Sequence, residues 1–283
     1  MRMDMIQVAL VTGASSGIGW QTAIELRREG FRVYGAARRL DKLEELQSWG
    51  VVPLRLDVTE EASLAACVAQ LLEAEGRLDV LVNCAGYGSY GPIEEVPIGE
   101  ARQELEVNLF GLARLTQLVL PHMRRQGAGR IINVSSVAGR VWTPFGGWYH
   151  ASKFAVEGFT HSLRWEVAPF GIQAILVEPG LIKTDWGRIA AAHLKESAQA
   201  GAYAQDAAAM AKVMEAAYGG QFGTAPEEIA RCIARAAVVP KPKARYLLGR
   251  GAWPLLLLKN ILPPSAYDTV MRWALRHINV DYL

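Results

Sequence analysis

Gln7-Val-Ala-Leu-Val-Thr-Gly-Ala-Ser-Ser-Gly-Ile-Gly19 decides the fold of this 283-residue chain. A short run of apolar, β-forming residues breaks on three glycines and passes directly into a helical pattern. Gly13, Gly17 and Gly19 permit a tight turn and close approach of the backbone to a ligand. The helix that follows offers unpaired N–H groups and the positive end of its dipole, which suits a phosphate. Ser15, Ser16 and Ile18 fill the turn. The spacing, Gly-x-x-x-Gly-x-Gly, departs from the common dinucleotide fingerprint, but its position between the first strand and the first helix carries the signal.

Working outward, short apolar runs alternate with longer helical patterns. The strand candidates are 7–12, 32–36, 51–57, 80–83, 130–135, 173–178 and 245–248, with helical periodicity clearest over 100–125 and 149–168. Several strands are continuous apolar runs, as expected where both faces of a sheet are covered. No repeat or low-complexity linker divides the chain. This pattern predicts one α/β domain over 1–283: a Rossmann fold, doubly wound, with a parallel sheet of about seven strands and helices on both faces.

The second strand ends on Ala36-Ala37-Arg38-Arg39. A site for NAD usually places an Asp or Glu here to bond the ribose 2′-hydroxyl. Ala37 stands there instead, and a guanidinium matches a 2′-phosphate bidentately, so Arg38 and Arg39 point to NADP(H). Asp57, with Val58 beyond it, ends the third strand and is either an adenine contact or a helix cap.

Tyr149-His-Ala-Ser-Lys153 places a phenol and an ammonium four residues apart on one helix face. Free tyrosine keeps its proton to about pH 10, and a fixed positive charge nearby favours the phenolate. Such a pair suits proton transfer to or from a carbonyl or alcohol oxygen.

Together these motifs resemble the short-chain dehydrogenase/reductase family, over nearly the whole chain and in the right order. The 12–19 loop is similar to that family's cofactor loop, and Asn83-Cys-Ala-Gly86 to its Asn-Asn-Ala-Gly element with Cys84 substituted. The resemblance implies cofactor contacts at Asn83, Ala85 and Gly86, and at Pro179, Ile182 and Thr184 beside the nicotinamide carboxamide. It implies that Asn108 holds a proton-relay water. The family's serine lies thirteen positions before its tyrosine, which selects Ser136 over Ser135. By resemblance Ser136 orients the substrate oxygen, Tyr149 exchanges its proton, and Lys153 holds the nicotinamide ribose and lowers the tyrosine's pKa. The C-terminal segments are similar, more loosely, to the branch of 17β-hydroxysteroid and retinol dehydrogenases. A homodimer or homotetramer is implied in the same way.

The substrate side is aromatic. Tyr87, Tyr90, Trp142, Phe145, Trp148 and Trp186 gather in sequence around the motifs, with Trp142 and Trp186 the expected substrate contacts. No Arg or Lys cluster favours a phosphorylated substrate, and a bulky apolar ketone, aldehyde or alcohol fits better. An Ala-rich stretch, 185–225, interrupts the strand–helix rhythm where a lid would sit, or else forms plain surface helices. The extension over 250–283 carries Trp253-Pro-Leu-Leu-Leu-Leu258, expected to pack on the domain or a second subunit, with a lipid surface as the alternative.

Composition bounds the rest. A net charge of +2 gives no case for nucleic acid. Three scattered cysteines are expected to be reduced thiols, and the five histidines lack ligand spacing, so no metal is expected. The polar start, 1–7, is too short for a signal sequence, and cytoplasm is the default. Competing readings are a catalytically silent NADP(H)-binding sensor or scaffold and a lipid-surface-associated dehydrogenase.

Overall fold

The computed structural model describes residues 6–198, 201–219 and 222–277. Positions 1–5, 199–200, 220–221 and 278–283 lie outside that description, so parts of the expectations for the N-terminus, the 185–225 segment with its Tyr218–Gly223 turn and the C-terminal extension fall beyond it.

Seven strands form one sheet: β1 (Val8–Thr12), β2 (Arg32–Ala37), β3 (Val52–Arg55), β4 (Val80–Asn83), β5 (Gly129–Val134), β6 (Ile172–Pro179) and β7 (Arg245–Leu248). All pair in parallel, in the order β3-β2-β1-β4-β5-β6-β7. Every predicted strand is present, with ends displaced by at most two residues. The third is the most shortened, because Asp57 leaves the ladder to cap the next turn through Thr59.

The apolar runs are explained by burial on both faces. Along β1, Ala9 and Val11 face one layer, formed with α1 (Gly17–Arg28) and α9 (Pro226–Val238). Val8 and Leu10 face the other, formed with α3 (Glu61–Glu75), α5 (Leu112–Gln126) and α6 (Gly147–Val167). The two-residue strand period thus feeds two cores at once. A short α2 (Leu40–Glu44) follows β2.

The predicted helix over 100–125 is longer and is interrupted. It runs as α4 (Ile98–Leu105), a π-helical turn over Glu106–Gly111 and α5. Single π turns inside helices are uncommon and often sit at functional sites; this one carries Asn108. The Ala-rich segment forms α7 (Asp185–Ser197) and α8 (Ala204–Gly219), and the chain continues after β7 into α10 (Ala252–Ile261) and α11 (Pro264–His277). Among the described residues no helix is long and apolar enough to cross a membrane.

The edge strand β7 is fastened by Arg245, whose guanidinium bridges Glu157 (2.9 Å) and the fully buried Glu178. At β1 the strand order reverses. The crevice beyond the carboxyl ends of β1 and β4 is where doubly wound sheets bind ligands.

Candidate active site

One cavity of about 1040 Å³ fills that crevice. Its lining joins Gly13 to Gly19, Arg38 and Arg39, Asp57 and Val58, Ala85 and Gly86, Ser136, Tyr149 and Lys153, and Pro179, Ile182, Thr184 and Trp186. Stretches separated by more than a hundred residues therefore form one wall, because most lie at the carboxyl ends of their strands and α6 and α7 bring Tyr149, Lys153 and Trp186 to them.

At one end is an anion cradle. Gly13 takes φ +67°, and a Cβ there would stand 2.9 Å from the Ala85 backbone, so only glycine lets the two loops close. Thr12, which sequence reasoning passed over, ties these loops: its hydroxyl accepts from Cys84 N (3.0 Å) and Ala85 N (3.1 Å). Helix α1 has no side-chain cap from Ser16 and no acid in its first turn, so its leading N–H groups remain available to an anion. Arg39 donates to Ser15 (2.9 Å) and Ser16 (3.3 Å) and stands over that helix start. Burial pushes the Asp57 carboxyl up, but the Thr59 N–H and hydroxyl, with Arg38 and Arg55, outweigh it and leave it below its ordinary value.

At the other end stands the acid–base group. The Ser136 hydroxyl accepts from Ala138 N (3.1 Å) and lies 3.4 Å from Pro179 O. Lys153 Nζ donates to Val134 O (3.1 Å) and lies 5.9 Å from the Tyr149 ring centroid. Burial pushes the lysine down and drives the Tyr149 phenol well above its ordinary value, a hydrogen bond with Ser136 opposing the latter. In the chain alone burial sets the direction of the tyrosine's shift. Desolvation of a phenol buried beneath α7 and α8 is the largest influence on it.

Three expected site residues lie away from the cavity wall. Asn83 turns into the core, where its amide donates to Asn133 (2.9 Å) and Thr116 (3.3 Å); it locks β4, β5 and α5 together and does not face a ligand. Trp142 is drawn outward to the C-terminal helices: its Nε1 donates to Asp268 (2.8 Å) and its ring packs on Tyr267 at 4.9 Å. Asn108 sits behind the wall. Its Oδ1 accepts from Tyr87 N (3.0 Å), while Nδ2 donates to Tyr87 O (2.8 Å) and Ser152 (3.0 Å).

Other residues emerge only in three dimensions. Trp186 lies 4.9 Å from Tyr149 and 5.3 Å from Tyr218, so α7 and α8 close an aromatic box over the phenol. His150 braces the loop between Ser136 and Tyr149: Thr143 N donates to its Nε2 (2.9 Å), which leaves Nδ1–H to donate to Ala138 O (3.0 Å). Burial lowers the pKa of that imidazole, against backbone hydrogen bonds at Ala138 and Val141. Glu104, fully buried, stands 3.5 Å from Asn108 Nδ2, and its Oε2 has no partner. Cys84 lines the cavity as a free thiol pushed up to about 12 by burial. Among the described residues no group of three or more His, Cys, Asp or Glu is placed to hold a metal ion.

Comparison with known proteins gives concordant matches. A family model described as short chain dehydrogenase matches residues 7–195. VdlC of Helicobacter pylori, a probable short-chain type dehydrogenase/reductase, is 36% identical over 94% of this chain and 96% of its own length. Rat estradiol 17-beta-dehydrogenase 1 is 35% identical over 93% of this chain and 80% of its own. Among solved structures, a single-substitution variant of actinorhodin polyketide ketoreductase with NADPH superposes with a TM-score of 0.71 at 34% identity, covering 87% of this chain and 96% of that one.

Proposed function

The chain belongs to the short-chain dehydrogenase family, and from that premise we propose that it is an NADP(H)-dependent oxidoreductase interconverting a bulky, apolar ketone or aldehyde and its alcohol. The observation that carries the reading is the continuity of one cavity between a phosphate cradle flanked by Arg38 and Arg39 and the Ser136–Tyr149–Lys153 group under aromatic cover. The cradle fits a dinucleotide. Its glycines admit close backbone approach, its helix start has donors to spare, and its arginines match an additional phosphate. The NADPH-bound ketoreductase supports the cofactor, and the estradiol dehydrogenase supports a large apolar substrate.

When bound, the nicotinamide supplies the hydride chemistry. The chain supplies the rest. Ser136 holds the substrate oxygen. Tyr149 gives that oxygen its proton during reduction and recovers it during oxidation; a phenol held above its ordinary pKa is protonated near neutrality, the state a donor needs. Lys153, fixed on Val134 O, holds the nicotinamide ribose and places its ammonium beside the phenol. Asn108 is a positioning residue, fixing the Tyr87 peptide at the cavity wall. The segment 185–225 serves as a lid: Trp186 and Tyr218 exclude water from the phenol and give an apolar substrate its contact surface.

The test is NADPH oxidation against a panel of carbonyls from small aliphatics to steroids and retinal, with NADH in parallel. Turnover on the bulky apolar members with NADPH is expected. Preference for NADH contradicts the reading of Arg38 and Arg39. Silence across the panel while NADPH still binds contradicts the catalytic reading.

A further inference from the structure

The last two helices leave an apolar face uncovered. Helix α10 turns Ala252 and Leu256 inward onto Val137 and Val141. On its other side Trp253, Leu257 and Ile261 are 66%, 59% and 68% exposed. Successive i+4 positions line up, so these three form one stripe. Helix α11 buries Tyr267 and exposes Trp273 by 63%. Packing on the domain therefore accounts for the inner face only. A stripe of Trp, Leu and Ile in water is a site waiting for a partner.

Charge identifies the partner. Over α10 and α11 the sequence holds three bases, Lys259, Arg272 and Arg276, against one acid, Asp268, although the whole chain nets only +2. Asp268 is engaged by Trp142. Lys259 lies on α10 itself and Arg272 on the exposed side of α11. Helices that combine an exposed Trp/Leu face with basic residues rest in the interface of an anionic bilayer. A second copy placed on the same patch about a two-fold axis would set these basic groups against each other.

We propose that α10 and α11 dock the chain on the surface of an anionic lipid membrane, with Trp253, Leu257 and Ile261 at headgroup depth and no span across it. The helix pair is tied to the loop between Ser136 and Tyr149, since Tyr267 donates to Trp142 O (3.0 Å) and Trp142 to Asp268 (2.8 Å). The docking itself does not depend on the activity proposed above.

Flotation of the full chain with vesicles of phosphatidylcholine, alone or mixed with phosphatidylglycerol, tests it. The chain should float with the mixed vesicles, not with phosphatidylcholine alone, and added salt should release it. The triple variant Trp253→Ser, Leu257→Ser, Ile261→Ser should lower the bound fraction about tenfold with an unchanged melting temperature. Lys259→Glu with Arg272→Glu, a pair that leaves the buried face untouched, should weaken it about tenfold as well. Absence of flotation, or equal flotation on both vesicles, overturns the proposal. So does a dimer in solution that the triple variant converts to monomer, which would make a second copy the occupant.

Discussion

Asn108 clasps Tyr87 on both sides of its backbone, accepting from the Tyr87 N–H at 3.0 Å and donating to the Tyr87 C=O at 2.8 Å. A residue on the π turn between α4 and α5 thereby replaces the β-ladder that β4 has just left. The same carboxamide limits what stands at Gly86, where a Cβ would come within 3.0 Å of Asn108 Oδ1. The wall of the cavity between Ala85 and Gly88 is therefore shaped by one buried amide.

Removing that amide orphans a backbone donor and acceptor. Asn108→Ala should cost about 2–4 kcal/mol of stability and weaken NADPH binding, since each unsatisfied buried group costs ~1–3 kcal/mol. Urea denaturation and a fluorescence titration of NADPH check both. Stability unchanged from wild type would contradict the clasp.

Arg39 over Ser15 and Ser16, with Arg38 beside it, should set cofactor choice. Charged hydrogen bonds are worth ~1.5–3 kcal/mol, so Arg38→Ala with Arg39→Ala should raise the KM for NADPH by about tenfold to a hundredfold. The KM for NADH should change little. Steady-state kinetics with both cofactors decide it, and an unchanged KM for NADPH would contradict the assignment.

Glu104 carries a pH signature. Burial raises its carboxyl to about 8 from an ordinary 4.5, with the Ser89 N–H and Lys153 pulling the other way. Between those values the folded chain keeps a proton that the unfolded chain has lost. The contribution is fully present below the unfolded value and is lost as pH rises through the folded one, at up to ~1.4 kcal/mol per pH unit. Glu104→Gln keeps the neutral shape and removes this share of the slope; the raised Glu157 and Glu178 retain theirs. Urea denaturation at about pH 5 and about pH 8 should show the variant gaining about 2 kcal/mol or more on wild type across the interval. Parallel pH profiles would contradict this.

Trp186 is the apolar wall nearest the phenol, its ring 4.9 Å from that of Tyr149. Trp186→Ala should lower kcat/KM for a bulky apolar carbonyl by about tenfold to a hundredfold, the equivalent of ~1.5–3 kcal/mol of lost burial. A small aliphatic aldehyde should be nearly unaffected. Equal losses for both substrates would mean that Trp186 supports the structure and does not select the substrate.

The sheet was legible in the sequence for a physical reason. Strands such as Val8–Thr12 and Ile172–Pro179 are buried on both faces and so are written as unbroken apolar runs between glycines. The cavity's polar wall was legible because its residues occupy strand ends or, as Tyr149 and Lys153 do, one face of a helix. What escaped depends on contacts that spacing does not encode. Asn83 and Thr12 occupy equivalent strand-end positions, yet Asn83 turns inward to Asn133 while Thr12 reaches across to the β4 loop. Trp142 was grouped with Tyr149 by proximity in sequence, and a helix more than a hundred residues later claimed it. Glu104 sits in Gln-Glu-Leu-Glu, which reads as a solvated helix face until the π turn and Lys153 enclose it. Tyr218 joins the aromatic box only because α7 and α8 fold back over the phenol.

The most direct measurement is the turnover of Tyr149→Phe at saturating NADPH and carbonyl substrate, together with its NADPH dissociation constant. The ring, its packing on Trp186 and the cavity volume are retained, and only the proton is removed. The account predicts a kcat lower by about a hundredfold to ten-thousandfold, the range that positioned proton transfer contributes, with NADPH affinity within about twofold of wild type. A variant that binds NADPH and keeps its kcat would contradict Tyr149 as the proton donor, and with it the acid–base chemistry assigned to this cavity.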